Sequence, residues 1–242
     1  MTSQSILAVD SSTEFLSLAL RTAAGFWRRD MALGAQASSQ LLQQLGALLD
    51  EAQVSLAQID LLVCGRGPGA FTGVRVAVAV CQGLAFSHQI PVLPLSGLLS
   101  MAEAVRLVQS DPQAPISVWA LQDARMGQVY AAHCQWTGQA WEMGAERLVD
   151  YMATAELTKK QACIVTGNVR SVLQEAGLPI PPAYFDSSPS ASLLLRLAEQ
   201  GLAAGQLVLS DAAALLPVYV RNKVAQTTAE RAAASAGKNL AL

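Results

Sequence analysis

Apolar positions open the chain as short runs separated by polar turns. Ile6 to Asp10 and Phe15 to Leu20 flank Ser11, Ser12, Thr13 and Glu14, which predicts a hairpin, and Gly25 marks the turn into a third strand over Phe26 to Met31. Beyond this meander, Leu41, Leu42, Leu45, Leu48 and Leu49 fall at i, i+1, i+4, i+7 and i+8. That spacing predicts an amphipathic helix with one apolar stripe, capped by Ser38 or Ser39. Ile59 to Cys64 then reads as a buried strand, GRGPGAFTG as a turn, Val74 to Ser87 as a helix and Pro91 to Leu95 as a strand. The order is βββαβαβ.

The Val74 helix is apolar nearly all round. Val74, Ala77, Val78, Cys81 and Ala85 form one face and Val76, Val80 and Leu84 another, so the helix is expected to be buried on both sides. Its small residues Ala77, Ala79 and Gly83 let a second helix approach closely, which makes it a candidate partner interface. No Asp, Glu, Lys or Arg stands between Val76 and Ala102, yet Gly83, Ser87, His88, Gln89, Pro91, Pro94 and Gly97 interrupt the run. A spanning helix needs about 20 predominantly apolar residues, so a buried helix followed by a strand is predicted and no membrane association is expected.

Breaker residues in QSDPQAP, 109 to 115, suggest a boundary that divides the chain into a first lobe of residues 1–110 and a second of 111–225. In the second lobe Ile116 to Leu121 reads as a strand, Gln122 to Gly127 as a loop, Gln128 to Trp136 and Cys163 to Thr166 as strands, and Leu193 to Leu202 as a helix. The C-terminal part of this lobe is expected to pack back on the first. Setting Asp10 over Asp123 aligns ILAV with WALQ, which suggests two copies of one strand–loop–strand motif. The Ala-rich stretch 226–242 reads as a flexible tail or a frayed helix.

Composition narrows the chemistry. Of 242 residues, 52% are hydrophobic and only 14% charged, which excludes a disordered chain and leaves apolar material for a surface buried against another protein. With a net charge of −2 and no lysine before Lys159, the chain is a poor unaided binder of phosphate backbones. Cys64, Cys81, Cys134 and Cys163 form no CxxC pair and read as free thiols. The opening MTSQSILAVD lacks the basic and apolar regions of a signal peptide, so a cytoplasmic protein is expected.

Several catalytic motifs fail on inspection. Gly65 to Ala70 matches G-x-G-x-x-A between a strand and a helix, but no Asp or Glu lies between Asp60 and Glu103 to hold a ribose. A Walker loop needs a lysine that is absent there. His88 and His133 stand 45 positions apart, so no helical two-histidine metal site can form, and no metal or other cofactor is expected. Two candidate anion sites remain open to either reading. Gly65, Gly67, Gly69 and Gly73 could present helix N–H groups to an anion or merely turn a tight corner. Asp10, Ser11, Ser12 and Thr13 could form a phosphate loop, with Asp10 organising a metal-bound water, or an ordinary hairpin turn. Asp123 and Arg125 read as a functional pair or as a contact that holds its loop.

Four blocks in order, ILAVDSSTEFLSLAL, CGRGPGAFTGVRVAVAVCQGLA, LQDARMGQVYAAH and PVYVRN, resemble the TsaB (YeaZ) family over about Ile6 to Asn222. The resemblance implies an α/β fold of two ribonuclease-H-like lobes, as in the actin-like ATPases. It also implies a non-catalytic partner of the transferase TsaD, working with the ATPase TsaE to form N6-threonylcarbamoyladenosine beside the tRNA anticodon. tRNA would be met only through the complex. TsaD-type proteins bind a metal through a histidine pair in the helix after the meander; the matching AQASSQLLQQL has none. Gln128 departs from the family pattern, where Glu more often stands.

On this reading Leu42, Leu45 and Leu49 of the first helix meet TsaD together with Phe71, Thr72, Gly73, Val74, Ala77, Val78 and Cys81 of the second. The same face would form a homodimer when the partner is absent. Val78→Asp or Gly73→Arg is expected to abolish pairing and leave the fold. The rival reading is a small ATP-dependent phosphotransferase that uses Asp10 and Asp123 with magnesium; Gly67 and Gly69 would then serve its phosphate loop.

Overall fold

The computed structural model describes residues 4–159 and 163–221. The predicted tail at 226–242 lies outside the described residues. Five strands, β1 (Ile6–Asp10), β2 (Phe15–Thr22), β3 (Gly25–Ala32), β4 (Leu61–Gly65) and β5 (Val92–Leu95), form one sheet in the order β3-β2-β1-β4-β5. β1 runs antiparallel to β2 and parallel to β4. The parallel steps are bridged by helices α1 (Ala37–Ala52) and α2 (Phe71–His88), as parallel pairing requires.

A second sheet repeats the plan. β6 (Ile116–Arg125) runs antiparallel to β7 (Gln128–Trp136) and parallel to β10 (Ile164–Gly167), which pairs with β11 (Tyr184–Asp186). β8 (Trp141–Met143) and β9 (Arg147–Asp150) both pair with β7. Around them lie α3 (Gly97–Leu107), α4 (Tyr151–Lys159), α5 (Arg170–Glu175) and α6 (Ala191–Ala204). The strand order β11-β10-β6-β7-β8 matches that of the first sheet about its central strand. Both copies of the strand–loop–strand motif therefore occupy the centre of a sheet.

Alternation sorts the strands onto two faces each. Leu7 and Val9 of β1 pack with Leu16, Leu18 and Leu20 of β2 against α1 and α2. Ile6, Ala8 and Ala19 face the other way, onto Leu194, Leu195 and Ala198 of α6. In the second sheet Val118, Ala120 and Cys134 pack on Leu98, Met101 and Val105 of α3, while Trp119, Leu121 and Val165 face Leu173 of α5. Helices α3 and α6 thus lie between the two sheets. A carboxylate pins them: Glu103, fully buried, accepts from Arg106 Nη2 at 2.6 Å, Trp141 Nε1 at 2.8 Å and Gln200 Nε2 at 2.9 Å.

Several sequence expectations need correction. The chain passes to the second sheet at Ser96, ahead of the 109–115 breaker segment, because α3 belongs to the core of the second sheet. That helix was not predicted, although Ser96 caps it by accepting from Leu98 N–H. Neither Ser38 nor Ser39 caps α1. A 3₁₀ turn over Gly34–Gln36 runs straight into the helix, and Ser39 instead donates to the Gln36 carbonyl at 3.0 Å. Gln122 to Gly127 is not all loop, since β6 continues to Arg125 with an irregularity between Asp123 and Arg125.

Candidate functional site

Two of the predicted loops close on each other. Gly67, at φ +90°, turns the chain out of β4, and Gly69 and Gly73 then lie flat against the β1–β2 hairpin. A Cβ at Gly69 would overlap the Ser12 carbonyl, and one at Gly73 the Ser11 carbonyl. Ala70 N–H donates to the Ser12 carbonyl at 2.7 Å, and the Ser11 hydroxyl donates to the Gly73 carbonyl at 2.8 Å. Protein backbone fills the corner where an anion would be held. The glycines serve close approach, one of the two readings left open by the sequence.

Asp10 lies behind this contact at 1% exposure. Its Oδ1 accepts from Ser12 N–H at 2.9 Å and the Ser12 hydroxyl at 2.8 Å, while Oδ2 faces Gly65 with no hydrogen-bond partner. Burial pushes its pKa up, against the lowering effect of the Ser12 hydrogen bonds. A carboxyl so enclosed cannot organise a magnesium-bound water, which corrects the role offered for Asp10 in the phosphotransferase reading. Asp123 is committed as well: it accepts from Tyr151 OH and Arg125 N–H, each at 2.8 Å, and pairs with the Arg125 side chain at 3.4 Å. Burial together with Asp123 pushes the Tyr151 pKa up to about 12. The Asp123–Arg125 pair holds its own hairpin.

Between the two hairpins lies a cleft of about 240 Å³ whose lining includes Ser12, Thr13, Phe71, Gln122, Tyr130 and Asn168. A C-terminal strap, residues 215–221, crosses its mouth. Gln82 Nε2 donates to the Leu215 carbonyl at 2.8 Å and Val218 N–H to the Arg66 carbonyl at 2.9 Å. On the far side Arg221 Nη2 donates to the Ala124 carbonyl at 3.0 Å. Tyr219 hydrogen-bonds Arg75 at 2.7 Å, and the guanidinium of Arg75 lies 3.6 Å from the Phe71 ring centre.

The predicted partner residues divide by burial. Leu45, Leu49, Val74, Ala77, Val78 and Cys81 are buried between α1, α2 and the first sheet, and Gly73 is buried under the Ser11 contact. They build the core and do not face outward, which corrects their assignment to a docking surface. Leu42 is 61% exposed, and Phe71 and Thr72 are also exposed. The helix is not buried on both sides: Ala79, Gly83 and Phe86 line an outer stripe of α2 beside half-buried Val76 and Val80. Two glycines inside the helices, Gly46 of α1 and Gly83 of α2, have nothing within 4 Å of where a Cβ would stand. Among the described residues no packing explains them. Gly46 and Phe86, exposed at 83%, escaped the periodicity argument because it tracks buried positions.

Remaining sequence candidates have local partners. Gln128 donates to Asp150 at 2.9 Å, His133 bonds the Ser117 hydroxyl at 2.7 Å, and exposed His88 bonds the Ser87 hydroxyl. The four cysteines are free thiols, three of them buried. Helix α1 carries no histidine, so the metal pair associated with the transferase does not fit this chain. Among the described residues no group of three or more His, Cys, Asp and Glu could hold a metal ion, and no helix is long and apolar enough to cross a membrane.

Residues 34–240 match the family model described as TsaD, tRNA N6-adenosine threonylcarbamoyltransferase. The tRNA threonylcarbamoyladenosine biosynthesis protein TsaB of Escherichia coli is 31% identical over 228 residues, 91% of this chain and 96% of its own. The Haemophilus influenzae protein of the same name is 28% identical over 239 residues, 93% of this chain and 96% of its own. Among solved structures, YeaZ from Pseudomonas aeruginosa superposes with a TM-score of 0.75 at 35% identity, covering 89% of this chain and 99% of that one.

Proposed function

The chain belongs to the TsaB (YeaZ) family, and from that premise we propose that it serves tRNA threonylcarbamoyladenosine biosynthesis as a non-catalytic subunit paired with a TsaD-type transferase. The observation that carries the pairing is the outer face of α1 and α2. Leu42 and Phe86 stand exposed there, and Gly46 and Gly83 sit at open positions in helix interiors. Each such glycine weakens its helix by about 1 kcal/mol relative to alanine. That cost has a purpose if a second pair of helices must lie close against the backbone, so the docking face is the outer stripe of exposed Leu42, Ala79, Gly83 and Phe86 with half-buried Gly46 and Val76.

The non-catalytic half of the reading rests on the closed corner. Backbone occupies the space between the hairpin and α2, and Asp10 is sealed away from solvent. The subunit therefore acts by holding its partner in a productive form, with a TsaE-type ATPase joining the pair and tRNA reached through the assembly. Alone, the chain pairs with a second copy through the same face, so homodimer and heterodimer exclude each other.

Complementation tests the reading. Bacterial cells depleted of their own TsaB should regain threonylcarbamoyladenosine in tRNA, measured by nucleoside mass spectrometry, when this chain and its own TsaD-type partner are supplied together. Restoration by the TsaD-type protein alone, or none with both, would overturn it.

A further inference from the structure

We propose that the groove where α3 and α6 end against the β7–β8 turn binds a monocarboxylate with an apolar body, its carboxylate held by Arg196 and Trp136. The groove has a volume of about 820 Å³ and shares no lining residue with the cleft between the hairpins. Leu107, Pro112, Ala203, Ala204 and the Trp136 ring give it apolar walls. Apolar surface with a few polar groups, at this size, is usual for a small-molecule site.

Charge points to an anion. Two guanidiniums line the groove and no acidic residue does. Both face the single carboxylate of Glu103. Arg106 holds it through two bonds, Nε to Oε2 at 2.8 Å and Nη2 to Oε1 at 2.6 Å, and donates Nη1 to the Pro112 carbonyl at 2.9 Å. Arg196 approaches Glu103 only to 3.9 Å, its side chain is 52% exposed, and it makes no hydrogen bond to the described residues. One positive charge is therefore left over, on a side chain whose donors are free.

Trp136 supplies a second donor. It is 5% exposed and lies under the Arg106 guanidinium, 4.4 Å from the ring centre, yet its Nε1 has no hydrogen-bond partner among the described residues. Buried donors almost always have one, and the neighbouring Trp141 donates its Nε1 to Glu103. Gln113, Gln139, Gln200 and Gln206 line the same groove, and none of their amide oxygens accepts from Trp136. A carboxylate bridging Arg196 and Trp136 satisfies the indole N–H and the surplus charge together.

The helix ends limit the charge of the occupant. Helix α3 stops at Leu107 and α6 at Ala204, both on the groove, and the carbonyl ends of two helices oppose a multiply charged anion. A phosphate ester is thereby disfavoured against a single carboxylate. The apolar walls select an acid with a hydrocarbon body, whether a free acid or the C-terminal residue of a peptide. This inference does not rest on the pairing proposed above, and its test uses the chain alone.

The chain has four tryptophans, so Trp136→Phe identifies the indole N–H signal of position 136 in a proton–nitrogen correlation spectrum of the full chain. Titration with octanoate at neutral pH should move that signal and saturate at millimolar ligand or below. Octanol and octyl phosphate should bind about tenfold more weakly or not at all, and Arg196→Gln, a change at a half-exposed side chain, should weaken octanoate by a similar factor. N-acetyl-alanyl-leucine, titrated beside octanoate, distinguishes the sources: tighter binding of the dipeptide assigns the groove to a peptide C-terminus, and tighter octanoate to a free acid. If Trp136→Phe fails to fold, isothermal titration of the parent and of Arg196→Gln with octanoate carries the same comparison. No saturation with either carboxylate, a stationary Trp136 signal, equal affinity for octanol, tighter octyl phosphate or an unaffected Arg196→Gln variant would overturn the proposal.

Discussion

The Ser11 hydroxyl donates to the Gly73 carbonyl at 2.8 Å while the Gly73 Cα rests against the Ser11 carbonyl, so the first turn of α2 is fastened directly to the β1–β2 hairpin. A side chain at position 73 must push these two elements apart. Gly73→Ala is expected to destabilise the chain by about 2–3 kcal/mol through overpacking, seen as a lower urea midpoint. Gly73→Arg would disrupt the fold along with any pairing. A Gly73→Ala midpoint equal to the parent would mean the contact is looser than described.

The outward glycines should behave oppositely. Gly46→Ala and Gly83→Ala each add a methyl into open space, so each should stabilise the isolated chain by about 1 kcal/mol in thermal or urea unfolding. The same changes should weaken association with the TsaD-type partner. If both variants gain stability and lose no affinity, close helix approach at these positions is wrong.

Asp10 gives a pH signature. Its folded pKa is raised by burial above the ordinary 3.8, so between those two values the folded state holds more protons than the unfolded state. Stability from this group is fully present below 3.8 and is lost as pH rises through the raised folded value. Asp10→Asn removes the loss, and its stability relative to the parent should climb across that window and then level off. A constant difference across the acid range in urea titrations would contradict the buried carboxyl.

Glu103 holds α3, α6 and β8 together from a fully buried position, paired with Arg106 at 2.6 Å. Glu103→Gln leaves the Arg106 charge buried without its counter-ion and should cost about 3 kcal/mol. Replacing both by apolar residues, Glu103→Met with Arg106→Leu, should recover much of that loss. Additive losses in the double variant would show that the pair contributes more than mutual neutralisation.

The first sheet was legible because β1, β2 and β4 are mainly apolar runs, broken within β2 only by Ser17 before Arg21, and set off by Ser, Thr and Gly. Helix α3 gives no amphipathic signal, since its sequence continues an uncharged stretch and both of its charged residues, Glu103 and Arg106, are buried, so polarity does not mark an outer face. The short β8, β9 and α4 are half exposed and carry little periodic signal. At the site, the glycine corner was visible as a pattern, but whether it cradles an anion or abuts backbone depends on where Ser11 and Ser12 lie in space. Gln122 drew no attention as one polar residue beside a hairpin; its burial arises from two lobes closing over it. Apolar periodicity identified α1 and α2, yet it marks the side facing the sheet, and the outer face shows only in residues such as Gly46, Gly83 and Phe86.

Light scattering after size exclusion, on the chain alone and mixed with the TsaD-type protein from the same cell, tests pairing through the outer face of α1 and α2 most directly. The parent should convert from a homodimer to a one-to-one heterodimer, and Gly83→Arg, whose side chain projects from an open position, should stay folded by circular dichroism and form neither species. A folded Gly83→Arg variant that still forms the heterodimer, or a parent that forms none, would contradict the account.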